Sequence, residues 1–538
     1  MFESSWPPPA KARLGRSRRR IIAAIAIVMG VAIVAVSSFQ PPNLRAARSD
    51  VRVLMGAATS LDPAIQADAS SAQIVSQLFE CLTAADASQQ IQPALASSWE
   101  TLNGGRRMVF HLRPNLTYSD GSPLTAKDVV ASWMRVLAMA RQGGLASLLD
   151  GVVGAEAYAK GTGPVTAVGL SAPDTTTVQV DLSSPASDFA AIASSPTLAV
   201  VPPGLNANPS LLTPGSFVGS GAYVLSAITS TETTLVANSH YWAGKPAIGT
   251  VHVVTSIGGQ SEVDVFLAGK LDYTQISSID ATWIAYDRTL GPSLRLVSTA
   301  SVEYYGFDTT KKPFSDVHVR RAFAMGIDWR RIVTLLGSPT EQPATGMVPP
   351  GIPGHGSTDF VPKFDAAAAK AELTQAGFPG GVGFPKITLV TPGGSVDGAI
   401  VAQLHDNLGI DIGYETMDLA TYYQRLATNP PAFWVQDWQA DYPGADDFLG
   451  LLLGSGKANN YGGWSDASFD AAIAKALSAG DPASTQAAFD QAQAVVQDQA
   501  PVVPVDNGTG YWLAAKGLLG AAPNGQGLVR FAGLAWAS

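Results

Sequence analysis

The histidines, glycines and serines of this sequence are the residues that could form a metal site, a phosphate-binding loop or a catalytic nucleophile. No two of its histidines have the i, i+4 or similar spacing of a zinc site. Residues 453–457 (Leu-Gly-Ser-Gly-Lys) resemble a phosphate-binding loop, but Ala458 replaces the required Ser or Thr and the first glycine is misplaced. A G-x-S-x-G nucleophile elbow is absent. We therefore predict no enzyme, no metal site and no cofactor, although catalytic residues could still converge from distant segments. The histidines are His111, His240, His252, His318, His355 and His405.

The single cysteine, Cys81, limits the covalent chemistry of the chain. It excludes an internal disulfide and a multi-cysteine metal site, and no cysteine follows the apolar run of residues 21–36 to carry a lipid. Cys81 shares helical spacing with Ile74, Leu78 and Leu82. This pattern predicts a core position and not a reactive thiol.

The N-terminus predicts export. Residues 1–20 hold six basic side chains and one acid, and residues 21–36 are uninterruptedly apolar. Extended to residue 39, the run approaches the roughly 20 residues of a membrane-crossing helix. Residues 35–37 (Ala-Val-Ser) would also suit signal cleavage, so a cleaved signal peptide and a retained anchor both remain open. In either case we expect the residues after about 40 to lie outside the cytoplasm, in the periplasm or on the outer face of the cytoplasmic membrane. The protein would be anchored by the N-terminal helix or secreted.

Length and charge narrow the class of protein. A chain of 538 residues predicts two to four domains. Only 14% of its residues are charged, below the roughly 25% usual for soluble domains. The corresponding excess of hydrophobic residues is mostly alanine. The first 20 residues carry a net charge of +5, which leaves −14 for the remainder. An acidic body of this kind argues against a nucleic-acid partner.

Short β-branched runs alternate with amphipathic helical patterns. Strands are predicted at residues 51–55, 108–112, 177–182, 251–254, 387–390 and 502–505. Helices are predicted at residues 71–82, 126–137 and 366–375, around 469–477 and around 489–496. Asp365 is the expected N-cap of the third helix, and Thr125 with Asp128 is expected to form a capping box on the second. This alternation predicts an α/β protein with partly parallel sheets.

Characteristic phrases follow one another along the chain. The early ones are residues 92–100 (QPALASSWE), 110–114 (FHLRP) and 119–129 (SDGSPLTAKDV). Later ones are residues 217–223, 238–246, 267–272, 305–308, 313–322, 376–378, 438–443 (WQADYP) and 500–504 (APVVP). Together they resemble the signature of family 5 extracellular solute-binding proteins, the oligopeptide- and dipeptide-binding group. The resemblance runs from about residue 51 to the end.

The resemblance implies a two-lobed, periplasmic-binding-protein-like α/β fold with a hinge and an additional inserted subdomain. On this sequence it places a discontinuous first lobe at residues 51–75, 215–298 and 506–538. It places the inserted subdomain at residues 76–214 and the second lobe at residues 299–505. Two crossings between the lobes would form a hinge, and a ligand would shift an open form to a closed one.

The resemblance also implies a ligand site around Asp441. In similar peptide-binding proteins, the aspartate of the Trp-x-x-Asp segment pairs with the α-ammonium group of the peptide, which is extended as an added strand. A buried cation needs an opposite charge and hydrogen bonds once water has left. We therefore expect ligand contacts from Asp441, Trp438, Tyr442 and Tyr305. The alternatives are an ordinary acidic turn residue and, for Trp438, a core position.

The resulting expectation is a monomeric solute-binding component of an ABC importer that captures small peptides and delivers them to a membrane permease. One alternative is an envelope-exposed binding or regulatory protein of the same fold that binds a nickel complex, a glycan or no transported ligand. Another is an exported hydrolase. Asp308 and residues 443–445 depart from the pattern of many peptide-binding relatives.

Overall fold

The computed structural model describes residues 48–66, 68–140, 146–335, 342–394 and 396–537. The N-terminal basic region and the apolar run of residues 21–39 lie outside these ranges, as do the two predictions made for them. Within the described ranges, none of the helices combines the length and the apolar character that crossing a membrane requires.

The first sheet gathers strands from the beginning, the middle and the end of the chain. Its central strand, Asp50–Leu54, pairs in parallel with Thr250–Val254 and Tyr273–Ile276, and the other pairs are antiparallel. Val51 and Val53 point into the core because alternate side chains of a strand face the same side. In the described residues the spatial order of its seven strands is Leu294–Ser298, Thr509–Ala514, Tyr273–Ile276, Asp50–Leu54, Thr250–Val254, Glu232–Ala237 and Tyr223–Ile228.

The second sheet contains the strand that leads to Asp441. This strand, Phe433–Gln439, runs antiparallel to Ser301–Phe307, with Gln439 opposite Ser301 and Phe307 opposite Phe433. Within the described ranges the sheet has six strands, in the order Gln342–Pro343, Val502–Asn507, Ser301–Phe307, Phe433–Gln439, Thr388–Thr391 and Gly413–Thr416. Thr388–Thr391 pairs in parallel with both of its neighbours, so both large sheets are partly parallel, as predicted.

The third sheet is antiparallel. Along the chain, its strands come after Asp50–Leu54 and before Tyr223–Ile228, which both belong to the first sheet. The core of the third sheet includes Phe110, Trp133 and Phe189, whose ring centroids are 5.9–6.4 Å apart. For the part of the chain that is described, its strands are Ala96–Leu102, Arg107–Leu112, Thr177–Asp181 and Leu170–Ser171. Two further strand pairs are Thr83–Ala85 with Ile91–Pro93, and Leu518–Leu519 with Ala535–Trp536.

Two chain crossings connect the first and second sheets. One joins the strand ending at Ser298 to the strand beginning at Ser301, and the other joins Asn507 to Thr509. The crossings lie side by side, since the Thr299 amide donates a hydrogen bond of 2.9 Å to the Gly508 carbonyl. Gln439 ends its strand beside these crossings, so the residues that follow lie at the junction of the two sheets.

The helices confirm most of the local predictions. Helix Ala366–Gln375 has the predicted bounds, and its N-cap Asp365 accepts hydrogen bonds from the amides of Ala367 and Ala368. The capping box of Thr125 and Asp128 is also confirmed. In the part of the chain that the structure describes, the α-helices are Ala69–Leu78, Ala126–Ala138, Ala155–Ala159, Phe189–Ile192, Glu262–Leu267, Ser278–Ile284, Val317–Gly326, Trp329–Leu335, Ala366–Gln375, Asp397–Leu408, Leu419–Thr428, Gly450–Leu453, Ala467–Ser478 and Pro482–Gln499.

One predicted helix boundary is wrong. The first helix ends at Leu78 and not at residue 82, because Phe79 adopts extended backbone angles and Glu80 forms a β-bridge with Val200. Pairing with a distant segment has therefore overridden the local periodicity. Cys81 is nevertheless a core residue, as predicted, and burial raises the pKa of its thiol.

Candidate functional site

The backbone at Asp441 is held from both sides of the sheet junction. The Ala440 amide donates to the Ala300 carbonyl at 2.8 Å, which extends the second sheet to the crossing. Gln526, near the end of the chain, donates from its side-chain amide to the carbonyls of Ala440 (3.2 Å) and Asp441 (3.1 Å). The backbone around Asp441 is therefore held by Ala300, which lies in the first crossing, and by Gln526, which follows the second crossing.

Asp447 brings Trp438 and Asp441 together. Its Oδ2 accepts hydrogen bonds from the indole Nε1 of Trp438 (2.9 Å) and from the backbone amide of Asp441 (3.2 Å). Asp447 is fully buried, whereas Trp438 and Asp441 are partly exposed. Asp447 was not among the ligand contacts expected from the sequence. Its only local signal is a second carboxylate six residues after Asp441.

The Asp441 carboxylate has no opposite charge beside it. Within the described ranges it accepts no hydrogen bond and forms no ion pair, and burial raises its pKa to about 6. Burial and the neighbouring Asp441 charge also raise the pKa of Asp447 well above its usual range. A carboxylate in this setting favours either a proton or an incoming cation.

Two more carboxylates lie in the same region, one of them from a different part of the fold. Asp188 directly precedes helix Phe189–Ile192 of the third-sheet region, and burial and the charge of Asp446 raise its pKa to about 7. Burial raises the pKa of Asp446 to about 6. Oδ2 of Asp188 and Oδ1 of both Asp446 and Asp447 are buried without a hydrogen-bond partner in the described structure. We call Asp188, Asp441, Asp446 and Asp447 the acidic cluster.

Tyr442 connects the two regions that supply the acidic cluster. It follows Asp441 but is only 5% exposed and belongs to the hydrophobic core of the third sheet. Burial and the surrounding carboxylates, Asp188 first, raise the pKa of its phenol. Gly444 is needed nearby, because a Cβ at this position would lie 2.7 Å from the Tyr442 ring. The structure thus places Tyr442 beside Asp441, with its ring in the core.

Tyr305 lies elsewhere. It is opposite Val435 in the second sheet, six residues before Asp441 along the neighbouring strand. Its ring is 2% exposed and packs 4.9 Å from Trp329 and 5.7 Å from Phe433, measured between ring centroids. The structure therefore brings Trp438, Asp441 and Tyr442 together and leaves Tyr305 in the core of the second sheet.

A metal site in a protein needs several ligating side chains around one point. In the described ranges no group of three or more His, Cys, Asp or Glu side chains is arranged to hold a metal ion. The features on which a ligand could act are therefore the acidic cluster and the indole of Trp438.

Two mixed sheets joined by two adjacent crossings, with polar groups at their junction, define a two-lobed solute-binding fold. A family model described as bacterial extracellular solute-binding proteins, family 5, matches residues 90–460. The chain belongs to this family.

Individual relatives agree with this assignment over most of their length. The chain is 32% identical to a probable deoxycholate-binding periplasmic protein of Escherichia coli (strain K12), covering 83% of this chain and 85% of the relative. It is 25% identical to an oligopeptide-binding protein of Bacillus subtilis (strain 168), covering 88% and 90%. The unliganded open form of a periplasmic murein tripeptide-binding protein superposes with a TM-score of 0.79 at 26% identity, covering 91% of this chain and 97% of that one.

Proposed function

We propose that this protein is the extracytoplasmic solute-binding component of an ABC importer, and that it captures small peptides with a free amino terminus. The observation that carries the proposal is the Asp441 carboxylate, which is partly buried, without a cation, and held at the junction of the two lobes. The names of the oligopeptide-binding and murein tripeptide-binding relatives support the same ligand class.

In this proposal the peptide α-ammonium group supplies the charge that Asp441 lacks. Closure of the lobes removes water, which strengthens the attraction between the ammonium group and the carboxylate. Trp438 forms an apolar wall, and the hydrogen bonds of Asp447 and Gln526 hold Asp441 in place before the ligand arrives. Such preorganisation lowers the entropic cost of binding.

The wider assignment follows from the same proposal. The protein acts as a monomer outside the cytoplasm, delivers its ligand to membrane permease subunits and has no catalytic role. We retain the division into a discontinuous first lobe, an inserted subdomain and a second lobe as part of the proposal, although the boundaries predicted at 75/76 and 505/506 fall inside helix Ala69–Leu78 and strand Val502–Asn507. The apolar run of residues 21–39 serves as its signal peptide or its anchor.

The deoxycholate-binding relative suggests a different ligand, an anionic steroid. The acidic cluster would repel the carboxylate of such a ligand, because like charges in a poorly hydrated site are unfavourable. We therefore retain the peptide as the proposed ligand and use deoxycholate as the comparison in the test.

Identification of the co-purified ligand and measurement of affinity test the proposal together. Residues 40–538 are purified under mild conditions, and mass spectrometry of the denatured protein identifies any bound small molecule. Peptides with free amino termini are the expected result. Titration calorimetry then compares an identified peptide, its N-acetylated form and deoxycholate.

Asp441→Asn is expected to weaken peptide binding about 100-fold, because it removes a desolvated charge pair. Asp406→Asn, which changes an exposed carboxylate on helix Asp397–Leu408, is the matched control and keeps wild-type affinity. Equal affinity of Asp441→Asn and wild type, or tighter binding of the acetylated peptide, would remove Asp441 from the proposed site.

A further inference from the structure

A cavity of about 720 Å³ lies between the third-sheet region and the second lobe. Its volume falls within the range of small-molecule sites in proteins, which is roughly 300–1,000 Å³. Residues 187–191 and part of the strand Ala96–Leu102 form one wall, and residues 443–445 and 477–489 form much of the other. Neither Asp441 nor Trp438 lines it, so the cavity is separate from the proposed peptide contact.

Small residues on facing segments leave this space open. Gly104 and Ala191 lie on one side, and Gly444 and Gly480 lie on the other. The two walls are nevertheless in contact, since the Ser187 amide donates to the Leu477 carbonyl at 3.1 Å. The two segments that form the walls therefore touch at one edge of the cavity.

The cavity walls are mainly apolar. Trp99, Ile91, Leu477 and Phe489 provide the large apolar surfaces. They favour a compact ligand with an aromatic or aliphatic body, because burial of apolar surface drives such binding. Trp99 could also stack against an aromatic ring of the ligand.

Asp188 lines the cavity without an ion-pair partner in the described structure. Within the described ranges its Oδ2 is also buried without a hydrogen-bond partner. By contrast, Gln486 donates to the Gly354 carbonyl and to Asp490, and the Asp481 carboxylate accepts from Ser484. The lining contains no Lys, Arg or His. Charge complementarity therefore favours a ligand with a single cationic group directed at Asp188.

We propose that this cavity is a second ligand site, specific for a compact apolar molecule that carries one ammonium group. The ammonium group pairs with Asp188, and the apolar body fills the space between Trp99 and Phe489. Because the two walls come from different lobes of the protein, an occupant would fix their relative position. The proposal does not depend on peptide binding at Asp441.

Tryptamine is a suitable probe, because it joins an indole ring to one primary amine. The full-length chain is purified in a mild nonionic detergent, and tryptamine is titrated by calorimetry with a detergent blank subtracted. Indole-3-propionate, which replaces the ammonium group with a carboxylate, is the matched ligand control. Binding of tryptamine and at least about tenfold weaker binding of indole-3-propionate are expected, since charged hydrogen bonds are the stronger ones.

Two variants locate the probe. Asp188→Asn removes the charge and is expected to weaken tryptamine binding about tenfold or more. Gly480→Trp fills the cavity from a position where an added Cβ meets no atom within 4 Å, so the fold should tolerate it. Gly398→Trp also meets no atom within 4 Å and lies outside the cavity, and it serves as the matched control.

The results separate this site from the peptide site. Tryptamine binding that persists in Asp441→Asn and is lost in Asp188→Asn supports the second site, whatever happens to peptide binding. No binding to the wild type, equal binding of indole-3-propionate, or wild-type affinity in both Asp188→Asn and Gly480→Trp would overturn it. Loss of tryptamine binding in Asp441→Asn alone would instead assign the probe to the peptide site.

Discussion

Glu80 and the acidic cluster show two different ways in which this protein buries carboxylates. Glu80 is 3% exposed, and both of its oxygens accept hydrogen bonds from Arg530, at 2.9 and 2.8 Å. The Tyr241 hydroxyl adds a hydrogen bond of 2.6 Å. Glu80 in turn raises the pKa of Arg530, so the guanidinium group stays charged over the physiological pH range.

Within the described residues the acidic cluster has no such ion pair, although its member Asp447 is as buried as Glu80. The charge of Asp446 raises the electrostatic cost of ionising Asp188, and three carboxylate oxygens of the cluster are buried without hydrogen-bond partners in the described part of the chain. Such groups are costly to keep charged in a poorly hydrated environment. The difference indicates that Glu80 belongs to the scaffold, and it agrees with our proposal that a ligand pairs with Asp441 of the acidic cluster.

The largest expected effect concerns the scaffold carboxylate. Glu80→Ala should lower the free energy of unfolding by about 3 kcal/mol, because it leaves Arg530 and the Tyr241 hydroxyl without their acceptor. Because Arg530 is partly exposed, this loss in the free energy of unfolding is at the lower end of the range for breaking a buried ion pair. Urea unfolding monitored by tryptophan fluorescence measures it. A loss no greater than that of an exposed pair would contradict the scaffold role.

A smaller effect, an increase in the free energy of unfolding, is expected when Asp188 of the acidic cluster is replaced by Asn. The pKa of Asp188 is raised to about 7, so between about pH 4 and 7 the folded protein holds a proton that the unfolded chain has released. The stability contributed by this group is therefore fully present below about pH 4 and is lost progressively as pH rises from 4 to 7. Asp188→Asn should match the wild type near pH 4 and become more stable than the wild type as pH rises to 8.

Unfolding of both proteins at pH 4 and pH 8, without added ligand, provides the measurement. A less stable Asp188→Asn at pH 8 would show that this carboxylate already has a favourable partner in the folded protein. It would also weaken the contrast between the two regions.

The smallest effect is expected where a carboxylate is paired but exposed. Glu156 and Lys160 form an i, i+4 ion pair with side chains that are 61% and 67% exposed. Glu156→Ala should leave the unfolding midpoint unchanged within error, because water already solvates both charges. This variant is the control for Glu80→Ala. A clear destabilisation would mean that pairing alone, without burial, accounts for the Glu80 result.

Local sequence patterns determined much of the fold and part of the site. The helix capped by Asp365 and the alternating strand of Val51 and Val53 could be predicted because neighbouring residues decide capping and side-chain periodicity. The family resemblance of the Trp-x-x-Asp segment, and not a local physical rule, pointed to Trp438 and Asp441, which the structure places together.

Only the tertiary structure decided what surrounds those residues. It brought Asp188 to Asp446, used Asp447 to hold Trp438 and Asp441, and placed Tyr305 in a core. It also ended the first helix at Leu78 by pairing Glu80 with Val200. The sequence by itself determined the residue types and the local elements. Contacts between distant segments depend on how sheets pack, and no short-range pattern records that packing.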